Sequence, residues 1–279
     1  MTIDMSTTRT DLALESVQAA CSGVETGTIS GVRSRERTRE GYAVTDIRVE
    51  DEDGAQALGK PVGRYVTVDL GPYFRREADY FDRGVRCLAG ELAALLPEGP
   101  VLAAGLGNRA MTCDAVGPAS IDNLLVTRHM IRAMPRQFAD FRPVAAVCPG
   151  VLARTGLEAL ELVRGAVERV RPAAVIAVDA LAARDSARLC ATVQLSDTGL
   201  VPGSGVGNRR SALDRGTLGV PVIAVGIPTV VDADPRAGLF LTPRDIDQRI
   251  RELGRLLGYG ITLALQPSLT AADVTALLG

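Results

Sequence analysis

The sequence predicts an α/β protein: a mostly parallel sheet between layers of helices, with a small β-hairpin extension near the N-terminus. Three observations lead there. Residues 101–104, 144–148 and 173–178 are short apolar runs without polar alternation, as strands covered on both faces are. Amphipathic stretches of helical period separate these runs, the sequence signature of strand–helix–strand units. The chain has 279 residues and 47% apolar content, enough for one sizeable core plus an appendage.

Taken in order, residues 1–30 are polar, rich in Ser and Thr and weakly periodic, so they read as an arm. Residues 31–40 alternate arginine with acids and hydroxyls and read as a solvated face. Two alternating stretches, 43–49 and 65–70, flank the turn-rich Asp51-Glu52-Asp53-Gly54 and predict a peripheral β-hairpin. From residue 81 the period becomes helical, with Val85, Leu88, Leu92 and Leu95 on one stripe. After strand 101–104 a second helix is expected to open at Pro118 and to carry Ile121, Leu124, Leu125 and Ile131. Strand 144–148 follows. A third helix is expected from Thr155, through a capping box with Glu158, with Leu157, Leu160, Val163, Val167 and Val170 inward. Strands at 173–178, 192–195 and 220–225 come next. Helices starting at Thr242-Pro243 and at Thr270, with Asp273, close the chain, and Gly258-Tyr259-Gly260 reads as a break between them.

Composition narrows the function classes. A net charge of −2 leaves no broad basic surface, so direct nucleic-acid binding is not expected. The five cysteines are odd in number, lack C-x-x-C spacing and lie mostly in or beside apolar runs, which points to a reducing, cytoplasmic compartment. No apolar stretch is long enough for a signal core or a membrane span.

In parallel sheets ligands collect at the carboxyl ends of strands. Three loops leave such ends: residues 105–118, the segment beginning at Asp179, and residues 196–208. Gly105-Leu106-Gly107 with Ala110 is a loose dinucleotide fingerprint, but the next strand ends in Cys148-Pro149-Gly150, with no acid for a ribose. Residues 203–208 lack the Lys-Ser/Thr of a phosphate loop. His129 is the only histidine and falls on a helical stripe with Ile121 and Leu125, so it reads as a packed core residue rather than the base of a Ser-His or Cys-His hydrolase using Cys113. Metal-ligand spacing is missing as well. What remains is a pair of acids, Asp114 and Asp179. Two carboxyls held close cannot both ionise cheaply, so one keeps a proton while the other polarises water. Asp179 is equally well read as an N-cap for Ala180-Leu181-Ala182-Ala183.

The ordered motifs Gly105-Leu106-Gly107-Asn108, Asp114-Ala115-Val116-Gly117-Pro118, Ala177-Val178-Asp179-Ala180, Ser196-Asp197-Thr198-Gly199, Pro202-Gly203-Ser204-Gly205 and Gly226-Ile227-Pro228-Thr229 resemble the spore germination protease family. The likeness runs from about residue 9 to 234 and again over the C-terminal helices. It implies a three-layer α/β/α sandwich of the phosphorylase/hydrolase-like kind, shared with hydrogenase maturation proteases. It implies an atypical aspartic endopeptidase, without a cofactor, that starts the degradation of small acid-soluble spore proteins in the spore core. Asp114 and Asp179 take the positions of the family's two functional aspartates. Asn108, Ser196, Asp197, Gly203 and Gly205 are candidates for holding the peptide. Members are homotetramers made as zymogens, and Arg9-Thr10-Asp11-Leu12-Ala13-Leu14-Glu15 is similar to the processing site, so residues 1–11 are expected to be a propeptide cut between Asp11 and Leu12. Residues 12–80 would then form the arm and hairpin region, and 81–279 the catalytic core. Two departures stand out. Cys113 occupies the place where relatives often carry proline, and the short segment 234–238 replaces a long insertion. The rival readings are a metal-dependent peptidase of the maturation type using the same acids, and a small-ligand or nucleotide module built on the glycine loops.

Overall fold

The computed structural model describes residues 10–21, 29–204, 207, 210–234 and 239–279. In chain order the elements are α1 (Ala13–Cys21), β1 (Val32–Arg39), β2 (Tyr42–Val49), α2 (Glu52–Leu58), β3 (Gly63–Asp69), α3 (Gly71–Phe74), α4 (Tyr80–Ala93), β4 (Val101–Leu106), α5 (Val116–Asp122), α6 (Arg128–Ala133), β5 (Val144–Gly150), α7 (Leu152–Thr155), α8 (Ala159–Val170), β6 (Ala174–Ala183), β7 (Thr192–Ser196), α9 (Arg215–Leu218), β8 (Val222–Asp234), β9 (Leu239–Leu241), α10 (Ile246–Leu265) and α11 (Ala271–Leu278).

All the strands belong to one sheet, in the order β1-β2-β3-β7-β8-β6-β4-β5, with β9 added to β8. Strands β8, β6, β4 and β5 run parallel. Strand β7 pairs antiparallel with both β8 and β3, and the antiparallel run continues to the edge at β1. The expected hairpin, β2 with β3, is therefore an extension of the core sheet through β7 rather than a separate flap.

Alternation along the buried strands assigns the two faces. Ala103, Ile176, Val178 and Val225 pack with α4, α5 and α10, while Leu102, Val175 and Ala177 pack against Val163 and Val167 of α8. Helices thus cover both faces of an α/β sandwich. Burying such apolar side chains contributes roughly 1.5–3 kcal/mol each, which explains why the apolar runs predicted these strands so well.

Several local expectations are corrected by tertiary contacts. Residues 31–40 are not only a solvated face. They form the edge strand β1, largely exposed, whose Arg37 and Arg39 pair with the fully buried Glu91 of α4. Charges on an edge strand also discourage pairing with a further chain. The linker after β2 holds α2, capped by Asp51 accepting from Gly54 N at 2.9 Å. Residues 13–21, expected to belong to a weakly ordered arm, form α1. Helix α8 starts at Ala159, with Glu158 and Glu161 making the capping box; Thr155 instead accepts from Leu157 N at 3.2 Å, and Leu157 is exposed. The second helix opens at Val116 and ends at Asp122. His129 lies on the separate α6 and is exposed, not core. No break occurs at 258–260, because α10 runs through it. The glycines there serve close packing. A Cβ at Gly254 would come within 2.7 Å of Ala119 Cβ, and one at Gly258 within 2.5 Å of Asn123 O, so α10 lies against α5 at backbone distance.

Candidate active site

Asp179 is not a helix cap. Ala180–Ala183 continue β6 past the expected strand end and pair with β8 across a register shift between Leu181 and Ala182. Its carboxyl is buried at 6% exposure, with one oxygen accepting from Ala180 N at 2.9 Å. Asp179 pairs with Gly226 of β8, which in turn pairs with Gln194 of β7. Partners in adjacent strands share a sheet face, so Asp179 and Gln194 rise on the same face with a glycine between them. The floor of a cleft of about 520 Å³ forms there, and both residues line it.

Asp114 ends a single 3₁₀ turn, Thr112–Asp114, at the carboxyl end of β4. Asn108 N donates to its Oδ2 at 2.9 Å and to its carbonyl at 3.0 Å, and Thr229 Oγ1 of β8 donates to Cys113 O at 2.6 Å. The chain can close this tightly only at Gly107, φ +105°, where a Cβ would lie 2.0 Å from Asp114 O. Burial raises the carboxyl pKa of Asp114 against the pull of the Asn108 amide. Asp179 is raised well above the ordinary carboxylate value, first by burial, then by the charges of Asp114 and Asp11. Burial and the charge of Asp114 both favour the protonated form of Asp179. Asp179 lines the cleft, and Asp114 sits in the turn that follows β4.

The chain's own N-terminal segment forms one wall of the cleft, through Thr10, Asp11 and Ser16. Asp11 N donates to Ala182 O at 2.9 Å, and the Asp11 carboxylate accepts from Ala182 N at 2.9 Å and from Ser204 Oγ at 2.8 Å. Leu12 is completely buried in a small apolar pocket with Ala183 and Val231, against Leu181 and Leu189. Ala13, also fully buried, donates its N–H to Gln194 Oε1 at 2.7 Å. The Glu15 side chain accepts from the amides of Arg184 at 2.8 Å and Asp185 at 2.9 Å, and from the Thr10 hydroxyl. Each residue of the acid–apolar–Ala–x–Glu pattern except the x position thus has its own receptor.

The other sequence candidates divide. Ser196 is buried at the end of β7 and lines the cleft, with its hydroxyl 3.2 Å from Thr198 Oγ1. Gly203 also lines it. Gly205 lies outside the described residues. Asn108 acts through its backbone on Asp114 and spends its side-chain oxygen on Ala110 N at 3.0 Å. Asp197 is exposed and turned away, accepting from Arg64 N at 2.8 Å. It is absent from the cleft because it ties the end of β7 to β3. Cys113 has its thiol pKa raised by burial and by Asp114, the wrong direction for a nucleophile. Among the described residues no group of three or more His, Cys, Asp or Glu side chains is arranged to hold a metal ion.

Two cleft residues escaped the sequence reading. Lys60 follows the left-handed turn at Gly59 that ends α2, and its ammonium donates to Asp11 O at 3.0 Å and Thr10 O at 3.2 Å. Burial lowers its pKa, against the attraction of Asp11 and Glu15. Gln194 Nε2 donates to Asp11 O at 3.0 Å. A signal for the first was present: Lys60 is the only lysine in the chain, and all the other basic residues counted among its 31 Lys and Arg are arginine. A compact ammonium kept once among so many guanidinium groups points to a place where the two are not interchangeable.

Comparison with known proteins assigns the class first: the chain is a peptidase. The sequence profile described as "Germination protease" matches residues 9–238. Germination proteases of Caldanaerobacter subterraneus subsp. tengcongensis (39% identity over 320 residues, 97% of this chain and 98% of the relative), Clostridium perfringens (36% over 321 residues, again 97% and 98%) and Bacillus cytotoxicus (40% over 285 residues, 95% and 76%) are similar. The chain belongs to the germination protease family. Among solved structures, a [NiFe] hydrogenase maturation protease, HycI, from Thermococcus kodakarensis aligns with a TM-score of 0.40 at 17% identity, over 63% of this chain and 99% of that one. No helix among the described residues is long and apolar enough to cross a membrane.

Proposed function

We propose that this germination protease is an endopeptidase that cleaves after an acidic residue by means of Asp114 and Asp179, and that its first substrate is its own Asp11–Leu12 bond. The observation that carries this reading is the Asp11–Glu15 segment held at the wall of the cleft that Asp179 also lines, each residue but Leu14 held by a separate group. The two acids share one proton. The ionised member takes a proton from water, whose oxygen attacks the Asp11 carbonyl carbon; the protonated member gives its proton to the Leu12 nitrogen as the C–N bond breaks. The dyad ends with the single proton it began with. Burial and mutual repulsion favour Asp179 as the protonated member at the start. Such a pair titrates as a unit, so the pH profile belongs to the dyad.

On this reading the chain is a zymogen, and removal of residues 1–11 opens the cleft to small acid-soluble spore proteins carrying the same acid–apolar–Ala–x–Glu pattern, in the spore core. Assembly into a homotetramer is part of the proposal, measurable by light scattering. The test is mass spectrometry of the full chain matured under acid, partly dehydrated conditions. Wild type is expected to yield a new N-terminus at Leu12, and Asp114→Asn and Asp179→Asn are expected to yield none. A different N-terminus, or normal maturation of either variant, overturns the reading. Maturation abolished by a chelator transfers the chemistry to a metal-dependent peptidase.

A further inference from the structure

Peptide hydrolysis through a tetrahedral intermediate places negative charge on the carbonyl oxygen, and preorganised donors aimed at that oxygen are often the largest single contribution to rate. In the proposed dyad the ionised aspartate repels the developing charge, and the protonated one is committed to the leaving nitrogen. The donors must come from elsewhere in the cleft.

The geometry points to Lys60 and Gln194. We propose that the Lys60 ammonium and the Gln194 side-chain amide form the oxyanion site of this peptidase, receiving the carbonyl oxygen of the acidic residue that precedes the cut. This rests on the reading that Asp11–Leu12 is a bond the enzyme cleaves. Both donors lie 3.0 Å from Asp11 O. The orientation of the Gln194 amide follows from its partners. Its Oε1 accepts from Ala13 N at 2.7 Å, and Ala13 N can only donate; its Nε2 therefore faces Asp11 O, which can only accept. One side chain thus grips the peptide on both sides of Leu12, while Asp11 N donates to Ala182 O. Gln194 is itself fixed, buried at 8% exposure in a strand paired on both edges. Lys60 is fixed by the turn that ends α2, where its own N–H donates to Ala55 O at 3.2 Å.

The step balances without any further reagent. As water oxygen bonds to the Asp11 carbonyl carbon, the π electrons move onto the carbonyl oxygen, and the water proton goes to the ionised aspartate. Lys60 and Gln194 hold the resulting alkoxide by N–H donation and keep their protons. When the C–N bond breaks, the electron pair leaves with the Leu12 nitrogen, which takes the proton of the other aspartate, and the carbonyl re-forms. Lysine suits this position because its compact charge can approach a single oxygen, whereas a guanidinium spreads its charge over a planar fork built for two acceptors.

The test uses the full chain and a synthetic peptide of the sequence Thr-Asp-Leu-Ala-Leu-Glu. Lys60→Met keeps the aliphatic stem and removes the charge; Gln194→Met removes the second donor. Self-processing of wild type at Asp11–Leu12 is measured first. Each variant is then expected to process about 10²–10³-fold more slowly, the cost of losing one oxyanion donor. The matured enzyme acting on the peptide in trans is expected to lose kcat with little change in KM. An uncharged alkene isostere, with the Asp–Leu amide replaced by –CH=CH–, is expected to bind Lys60→Met and wild type equally, since it presents no oxygen to the ammonium. Wild-type cleavage at Asp11–Leu12 with undiminished rates in both variants overturns the oxyanion assignment alone. Parallel losses of rate and of isostere affinity do the same, by showing that the two residues merely hold the segment. Wild-type cleavage elsewhere overturns the functional reading and this assignment with it. Should Lys60→Met fail to fold, Gln194→Met carries the same expectations and the same refutations.

Discussion

The two halves of the sheet contribute different things to one cleft. The parallel half, β8-β6-β4-β5, carries the two acids of the proposed dyad: Asp179 within β6 and Asp114 in the turn after β4. The antiparallel half adds two side-chain donors to the bound segment, the rest of which is held by the far ends of β6 and β8 and the loop after β6. Gln194 comes from β7, Lys60 from the turn before β3, and the bound segment from the chain leading into α1. The parallel strands are buried on both faces around Asp179, which raises its carboxyl pKa, and the extension of β6 beyond it offers backbone and an apolar pocket to the segment. The antiparallel flank adds the Gln194 amide and the Lys60 ammonium, both on Asp11 O. The site lies at the join, where β7 turns the direction of the sheet.

The largest effect expected on the parallel side is loss of the proton relay. Asp179→Asn or Asp114→Asn should slow self-processing by about 10²–10⁴-fold, the usual worth of general acid–base catalysis, while melting curves show both variants folded. An unimpaired variant would remove that acid from the chemistry.

Where the segment is held beyond the end of β6, Glu15→Ala should weaken capture rather than chemistry. Glu15 is buried and satisfies the amides of Arg184 and Asp185, and hydrogen bonds to a charged group contribute roughly 1.5–3 kcal/mol each. The expected result in a trans assay with the corresponding peptide is a raised KM and a kcat near that of the parent peptide. A fall in kcat alone would contradict the division of labour.

Smaller again is a purely structural change in the helix layer under the parallel half. Gly258→Ala forces a methyl against Asn123 O and should cost about 1–3 kcal/mol, as overpacking does, measured by denaturant unfolding, with activity per folded molecule preserved.

The mildest effect concerns pH. The Asp179 pKa is raised in the fold relative to the unfolded chain, so the native state holds the proton more tightly. Its contribution to stability is complete below the unfolded carboxylate value, about 4, and is lost as pH rises through the folded value. Asp114, raised by burial, acts with the same sign. Asp179→Asn cannot ionise, so its Tm should decline less than that of wild type as pH increases above about 4. Identical slopes would show that the two forms carry the same charge.

Much of the parallel half was legible because burial on both faces leaves a one-dimensional trace: residues 101–104, 144–148 and 173–178 are apolar without alternation, and the first two lie within strands while the third starts one residue before β6. The antiparallel flank was harder. Strand β1 reads as charge alternation because its partners, including Glu91, are remote in sequence. The glycines of α10 read as a break because the helix they approach, α5, is over a hundred residues away, and only that contact rewards the missing side chains. Asp114 and Asp179 were found through motifs, and their spacing alone left Asp179 balanced between cap and acid. Lys60 was visible as the lone lysine, but nothing local says what it touches.

By itself the sequence determined the α/β class, the buried strands and the family, and it nominated the two acids, because hydrophobic period and ordered motifs are properties of neighbours along the chain. Only the tertiary structure decided that Ala180–Ala183 extend a strand, that Asp197 faces away, and that Lys60, Gln194 and the Asp11–Glu15 segment meet in one cleft. Those facts depend on strand order and register, which bring residues as far apart as Asp11 and Gln194 within hydrogen-bond distance and leave no periodic mark on the chain.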